Sequence, residues 1–343
     1  MKSKTALSIT YTLLHLLVDF TTIYLVCRVL LGYEIGMVQR AEVIIVYNLV
    51  AFAGQLPIGI IADGLNKNRV LAFSGCAMSM LAYPISAVSP WASCILASLG
   101  NGAFHIGAGS EILKISMPKA GIAGIFVSSG AVGVWLAYNF SGNSPYVFLP
   151  CLMLLSCIVL LFFTDDAATN EPHTILPYSM PRVITCVAAC CFLLTIVIRS
   201  FIGMSADFPW KSVPVWSLMN VIAIAGGKAI GGIIADRFGY IKTSAGSLLI
   251  SLLTFVFSFD IPVCGIIAIF CFNMTMPLTL TAIAQMCGKK YGFAFGLTTF
   301  ALAVGFIPMV FGAGGFFGIP VIMISVISSL VMLVVAFRCR HMY

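Results

Sequence analysis

Charge is what this chain lacks. Of its 343 residues only 8% are charged while 61% are hydrophobic, and mean hydropathy is +1.09. Soluble globular proteins carry about a quarter of their residues as charges, so water-soluble domains built from this chain would have too little polar surface to coat them. A soluble enzyme or binding domain is excluded, and the bilayer is the solvent. Motifs of intramembrane and nucleotide-driven chemistry are missing too. There is no HExxH, no paired aspartates in a GxGD setting, no GxSG serine and no phosphate-cradling P-loop, so an enzyme is not expected. The twelve cysteines form no CxxC or Cys/His ligand cluster. Nearly all lie in apolar runs, and Cys186, Cys190 and Cys191 read as soft core residues. The net charge of +7 is spread thinly and without interleaved aromatics, which argues against nucleic acid. No cofactor and no metal is expected.

What is present is a succession of apolar runs. Gly, Pro and charge divide them into spans near 5–31, 41–63, 70–89, 91–117, 121–140, 146–164, 182–202, 213–236, 242–259, 261–287, 293–315 and 319–337, each near the roughly 20 residues that cross a bilayer. This predicts an all-α integral membrane protein with twelve transmembrane helices. The first run is long enough to span and lacks a cleavage site, so Lys2 and Lys4 precede helix 1 and are not part of a signal peptide. Lys67, Arg69, Lys119, Arg182, Arg237, Lys242, Lys289, Lys290 and Arg338 share one face with the termini, against Arg40 and Lys211 on the other. By the positive-inside rule both termini are cytoplasmic. The membrane is the plasma membrane, the inner one in a Gram-negative cell.

Only 165–181, with two aspartates, Glu171 and three prolines, reads as a real linker. It separates an N-terminal six-helix bundle, 1–164, from a C-terminal one, 182–343. The halves repeat: Gly59-Ile-Ile-Ala-Asp63 aligns with Gly232-Ile-Ile-Ala-Asp236 at an offset of 173, and Lys119-Ala-Gly121 aligns with Lys290-Tyr-Gly292 at nearly the same offset. A parallel repeat suits a rocking transporter with its substrate site between two moving bodies. Asp63 and Asp236 end their helices at the negative pole of the macrodipole. The N-termini of helices 5 and 11 begin on the same side and offer free N–H groups to them. The segment from Gly232 through Asp236-Arg237 to Lys242, partnered by Gly59 to Asp63 with Lys67 and Arg69, resembles the loop signature of the major facilitator superfamily. The resemblance covers the whole chain. It implies two pseudo-symmetric six-helix bundles, with Asp63, Arg69, Asp236 and Arg237 as a gating latch that stabilises the outward-open state.

Ionisable residues inside the spans are concentrated in the first half. His15 and Asp19, at i and i+4, share one face of helix 1, and helix 4 carries His105, Glu111 and Lys114. At 1.5 Å per residue, His15, Asp19 and His105 lie roughly 15, 21 and 18 Å from the cytoplasmic ends of their helices, at one level. A histidine beside a carboxylate can take up and release a proton near neutral pH; a static hydrogen-bonded pair tying two helices is the alternative. Glu111, rotated off the His105 face by about 120°, is a further coupling candidate or an ion-pair partner of Lys114. The stretch Gly100 to Ser110, with Asn101 and His105, resembles the helix-4 pattern of fosmidomycin-resistance-type members of the superfamily, and His15-Leu-Leu-Val-Asp19 resembles their first-helix polar pair. Candidates for substrate binding are Asn101, Lys228 and Asn273. Arg28 and Arg199 end helices 1 and 7 symmetrically and read as interface anchors, with recruitment of anions at the outer mouth as the alternative.

The function expected is proton-coupled efflux of a small amphipathic or anionic molecule by a monomeric secondary transporter. The alternatives are uptake of an organic anion, with Lys228 or an arginine as counter-ion, and a non-transporting membrane sensor that keeps the carrier fold.

Overall fold

The computed structural model describes residues 2–32, 36–140, 152–153, 155–159, 182–310 and 318–341. Among them there is no strand. The apolar runs fold as α1 (Lys2–Tyr24), α2 (Met37–Asn48), α3 (Gln55–Leu65), α4 (Asn68–Ser86), α5 (Pro90–Ser116), α6 (Gly121–Asn139), α7 (Arg182–Ser205), α8 (Pro214–Phe238), α9 (Tyr240–Phe255), α10 (Pro262–Asn273), α11 (Thr275–Met286), α12 (Tyr291–Val310) and α13 (Ile319–His341). Eight helical stretches among the described residues are long and apolar enough to cross a membrane. Of the expected sixth span only 152–153 and 155–159 are described, both helical; the expected linker, 165–181, lies outside the described residues.

Local chemistry sets the boundaries. Proline occupies the first position of α5, α8 and α10, where its missing N–H costs nothing. The second and tenth expected spans are each broken near the middle. Pro57 has no N–H to offer Ala53, and a π-helical turn, Leu49–Ala53, separates α2 from α3. Pro277 likewise cannot donate to Asn273, where α10 gives way to α11. Repeat-related turns follow the two aspartates: Asn66, three residues after Asp63, has φ 51°, and Gly239, three after Asp236, has φ 91°.

The chain forms two compact units: 1–115 with 129–172 and 290–300, and 116–128 with 173–289 and 301–343. Relative to a plain six-and-six division, the segments 116–128 and 290–300 have changed places. These hold the first turns of α6 and α12. In the first unit α4 and α5 run nearly backbone to backbone: a Cβ on Gly75 would stand 2.3 Å from the Phe104 nitrogen, and one on Gly107 2.5 Å from that of Ala72. Small residues thus supply the dispersion contacts that replace hydrophobic burial in lipid. In the second unit α7 packs on α13, α13 on α9, α9 on α10 and α10 on α8. The eleven described cysteines are all free thiols.

Candidate functional site

In the first unit, α1 and α5 each present two polar residues one turn apart, His15 with Asp19 and Asn101 with His105, and the four converge. His15 Nε2 lies 3.2 Å from Asp19 Oδ2. His105 Nε2 lies 2.8 Å from His15 Nε2 and 3.6 Å from Asp19 Oδ1. Asn101 Nδ2 donates to Asp19 Oδ1 at 2.9 Å and to Thr22 Oγ1 at 3.2 Å, and Thr22 in turn accepts from the Tyr47 hydroxyl at 2.8 Å. The backbone of α6 closes the cluster: a Cβ on Gly130 would fall 2.3 Å from Asp19 Oδ2 and 2.5 Å from His15 Nε2. His15 and Asn101 are buried, and the side chains of Asp19 and His105 keep only 14% and 12% exposure.

Hydrogen-bonding partners assign the protons. His105 Nδ1 is 2.8 Å from the Asn101 carbonyl oxygen, which only accepts, so Nδ1 carries the proton and Nε2 of the neutral ring is an acceptor. The proton between the two rings then belongs to His15 Nε2, which also faces Asp19. One additional proton would make an imidazolium beside a carboxylate. Among the described residues this is also the one grouping of histidine, cysteine and acid whose spacing suits a metal ion. The Tyr47 end of the chain borders a cavity of about 350 Å³ lined by Ile23, Val26, Ile44, Tyr47, Asn48 and Tyr138.

Glu111 is not brought to the cluster. It accepts from Arg69 Nε at 3.2 Å and Asn68 Nδ2 at 3.3 Å, with Lys114 at 4.0 Å. Arg69 therefore pairs with Glu111 and not with Asp63. Asp63 instead accepts from the backbone N–H groups of Gly292 and Phe293, both at 2.8 Å. Asp236 accepts from those of Ala120 and Gly121 at 2.7 and 2.8 Å. Each aspartate thus caps the first turn of a helix from the other sequence half, satisfying N–H groups that have no partner in their own helix. The repeated glycine makes this possible: Cβ atoms on Gly59 and Gly232 would stand 2.1 Å from Gly292 O and 2.5 Å from Ala120 O. Arg237 lies with its guanidinium carbon 5.5 Å from the Phe238 ring centroid. Lys228 is partly buried on α8, and its carbonyl oxygen is 2.5 Å from where a Gly124 Cβ would sit. Asn273 donates back to Ile269 O at 2.9 Å. Both belong to the second unit.

Arg199 corrects the first of the two expectations for it. It is no interface anchor: only 7% of it is exposed, and Nη1 donates to Thr275 Oγ1 at 3.4 Å and Thr279 Oγ1 at 3.3 Å. A charged residue within a span costs about 2.5–3.5 kcal/mol on insertion scales, so a buried one has a use. The signal for it in the sequence was the hydroxyl spacing of Thr275 and Thr279, one turn apart. The side chain of Arg28 lies outside what is described.

No family model matches the chain, and no curated protein does. Solved structures do. The chain is similar to FucP, a major facilitator superfamily transporter in the outward conformation, with TM-score 0.63 and 12% identity over 98% of each chain. A variant of the E. coli fucose:proton symporter FucP gives TM-score 0.63 and 13% identity over 98% of each chain. The human organic anion transporter MFSD10 (TETRAN) gives 0.65 and 13% over 97% of this chain and 99% of that one. The fold is that of major facilitator superfamily transporters.

Proposed function

We propose that this chain is a proton-coupled secondary transporter working by alternating access, and that His15, Asp19 and His105 carry the coupling proton. The observation that carries the reading is the convergence of both Nε2 atoms and the Asp19 carboxylate within 2.8 to 3.6 Å, since ionisable groups inside a membrane protein are costly and retained for use. It is supported by a fold shared with a fucose:proton symporter. The cargo is a small amphipathic or anionic molecule, and the direction is export, on the resemblance of the Gly100–Ser110 stretch to fosmidomycin-resistance-type transporters. Two six-helix bundles, 1–164 and 182–343, alternate, with Asp63 and Asp236 as the latch of one state. The chain acts as a monomer in the plasma membrane with cytoplasmic termini. Arg199, a buried cation among neutral hydroxyls, favours a second reading, uptake of an organic anion.

The test is a thermal-unfolding screen of metabolites and drugs against the purified protein at two pH values. Compounds that stabilise it are then assayed in proteoliposomes with an imposed pH gradient and an internal pH dye, with and without EDTA. Proton movement coupled to compound movement and indifferent to EDTA supports the reading. Compound flux unaffected by the pH gradient overturns proton coupling, and loss of coupling in EDTA would assign the cluster to a cation.

A further inference from the structure

We infer that Arg199 binds the carboxylate of a small organic anion through the edge of its guanidinium formed by Nε and Nη2. A guanidinium has five N–H donors in a rigid plane. Both donors of Nη1 are taken up by Thr275 Oγ1 and Thr279 Oγ1. These hydroxyls spend their own protons on backbone carbonyls, Thr275 on Phe272 O at 2.9 Å and Thr279 on Met276 O at 2.9 Å, so toward Arg199 they are pure acceptors. They fix the plane of the guanidinium without neutralising it. Among the described residues no carboxylate pairs with Arg199, whereas Arg69 has Glu111 and the histidines have Asp19.

Among the described residues that leaves Nε–H and the two Nη2 donors without a protein partner. Neither nitrogen is among the fully sealed, unpartnered buried atoms, so each keeps a little exposed surface on a residue that is 7% exposed. Two parallel N–H bonds on that edge match the two oxygens of a carboxylate, and in a site this buried the pair is far stronger than in water. The pinning of Nη1 by two threonines orders the fork before the ligand arrives. Lysine would supply the charge but not the fork.

The inference rests on the transporter reading for the ligand being cargo, so binding and flux are measured separately. Purified full-length protein in detergent is titrated with benzoate and succinate, with the uncharged benzamide and succinamide, and with phosphate and chloride at matched ionic strength, following the unfolding midpoint. At least one carboxylate is expected to raise the midpoint above its amide and above both inorganic anions. R199Q should remove that preference, and R199K should weaken carboxylate affinity on the order of tenfold or more. Should R199Q fail to fold, R199K and T275V/T279V carry the test, both expected to bind the carboxylate more weakly. Carboxylates no better than amides in the wild-type protein, a stronger response to phosphate, or undiminished preference in the variants would overturn the assignment. Carboxylate binding without flux in proteoliposomes would leave the site standing and remove the transporter reading.

Discussion

His15 Nε2 stands 2.8 Å from His105 Nε2, and because His105 Nδ1 is committed to a carbonyl oxygen the proton between them is that of His15. The pair is therefore poised asymmetrically. Replacing His105 with glutamine removes the ring nitrogen that can take up a proton, and replacing His15 removes the donor ring. Either change should lower pH-driven flux by about tenfold or more, in the range by which positioned proton-transfer groups act. Flux driven by a substrate gradient alone should fall less. Parallel flux assays with and without a pH gradient check this.

Gly130 should tolerate no side chain. A Cβ there would overlap Asp19 Oδ2 and His15 Nε2, and α6 is held against α1 close by, where a Gly133 Cβ would be 2.3 Å from Leu16 O. G130A should cost about 1–3 kcal/mol of stability through overpacking and should disturb proton coupling. Thermal unfolding together with the pH-gradient assay reads both.

The two latches should respond unequally. Asp63 and Asp236 each accept two backbone N–H bonds, but the loop before α6 is also held by Tyr240 Oη and Gln285 Nε2, which donate to Pro118 O at 3.1 and 2.8 Å. The loop before α12 runs from Cys287 to Lys290, and the helix it leads into is capped by Asp63. With the Tyr240 and Gln285 bonds retained in D236A, D63A is expected to shift the conformational balance more than D236A, each change orphaning two donors at about 1–3 kcal/mol per donor. Accessibility of a cysteine introduced into each loop, measured by maleimide labelling, gives the comparison.

The Arg69–Glu111 pair is predicted to serve assembly and not coupling, because neither residue touches the histidine cluster. Breaking so buried a pair strands a charge, so E111Q should destabilise by about 3–5 kcal/mol and leave the proton-to-substrate ratio unchanged. Thermal unfolding and vesicle stoichiometry measure the two effects independently.

Much of this was readable from the residues because so few are charged. The i, i+4 spacing on α1 and the equal depth of His105 are enough to bring His15, Asp19 and His105 together on paper. The aspartate-to-helix-N-terminus pairing follows from the dipole rule applied to a repeat. Periodicity could not show the partner of Arg69, since several carboxylates and helix ends compete for a basic turn and only packing selects Glu111. Nor could it show the π turn before α3, which reflects a proline four residues further on inside a uniformly apolar run. Arg199 was misplaced because nearness to the end of a span looks the same for a residue that snorkels and for one that turns inward to hydroxyls on another helix.

The most direct trial of the coupling cluster is proton movement measured with an internal pH dye in proteoliposomes during transport of a stabilising compound, comparing wild type with H15Q, D19N and H105Q. The cluster predicts compound-dependent proton flux in the wild type and its loss in all three variants, each still folded by thermal unfolding. Proton flux undiminished in the three variants would contradict it.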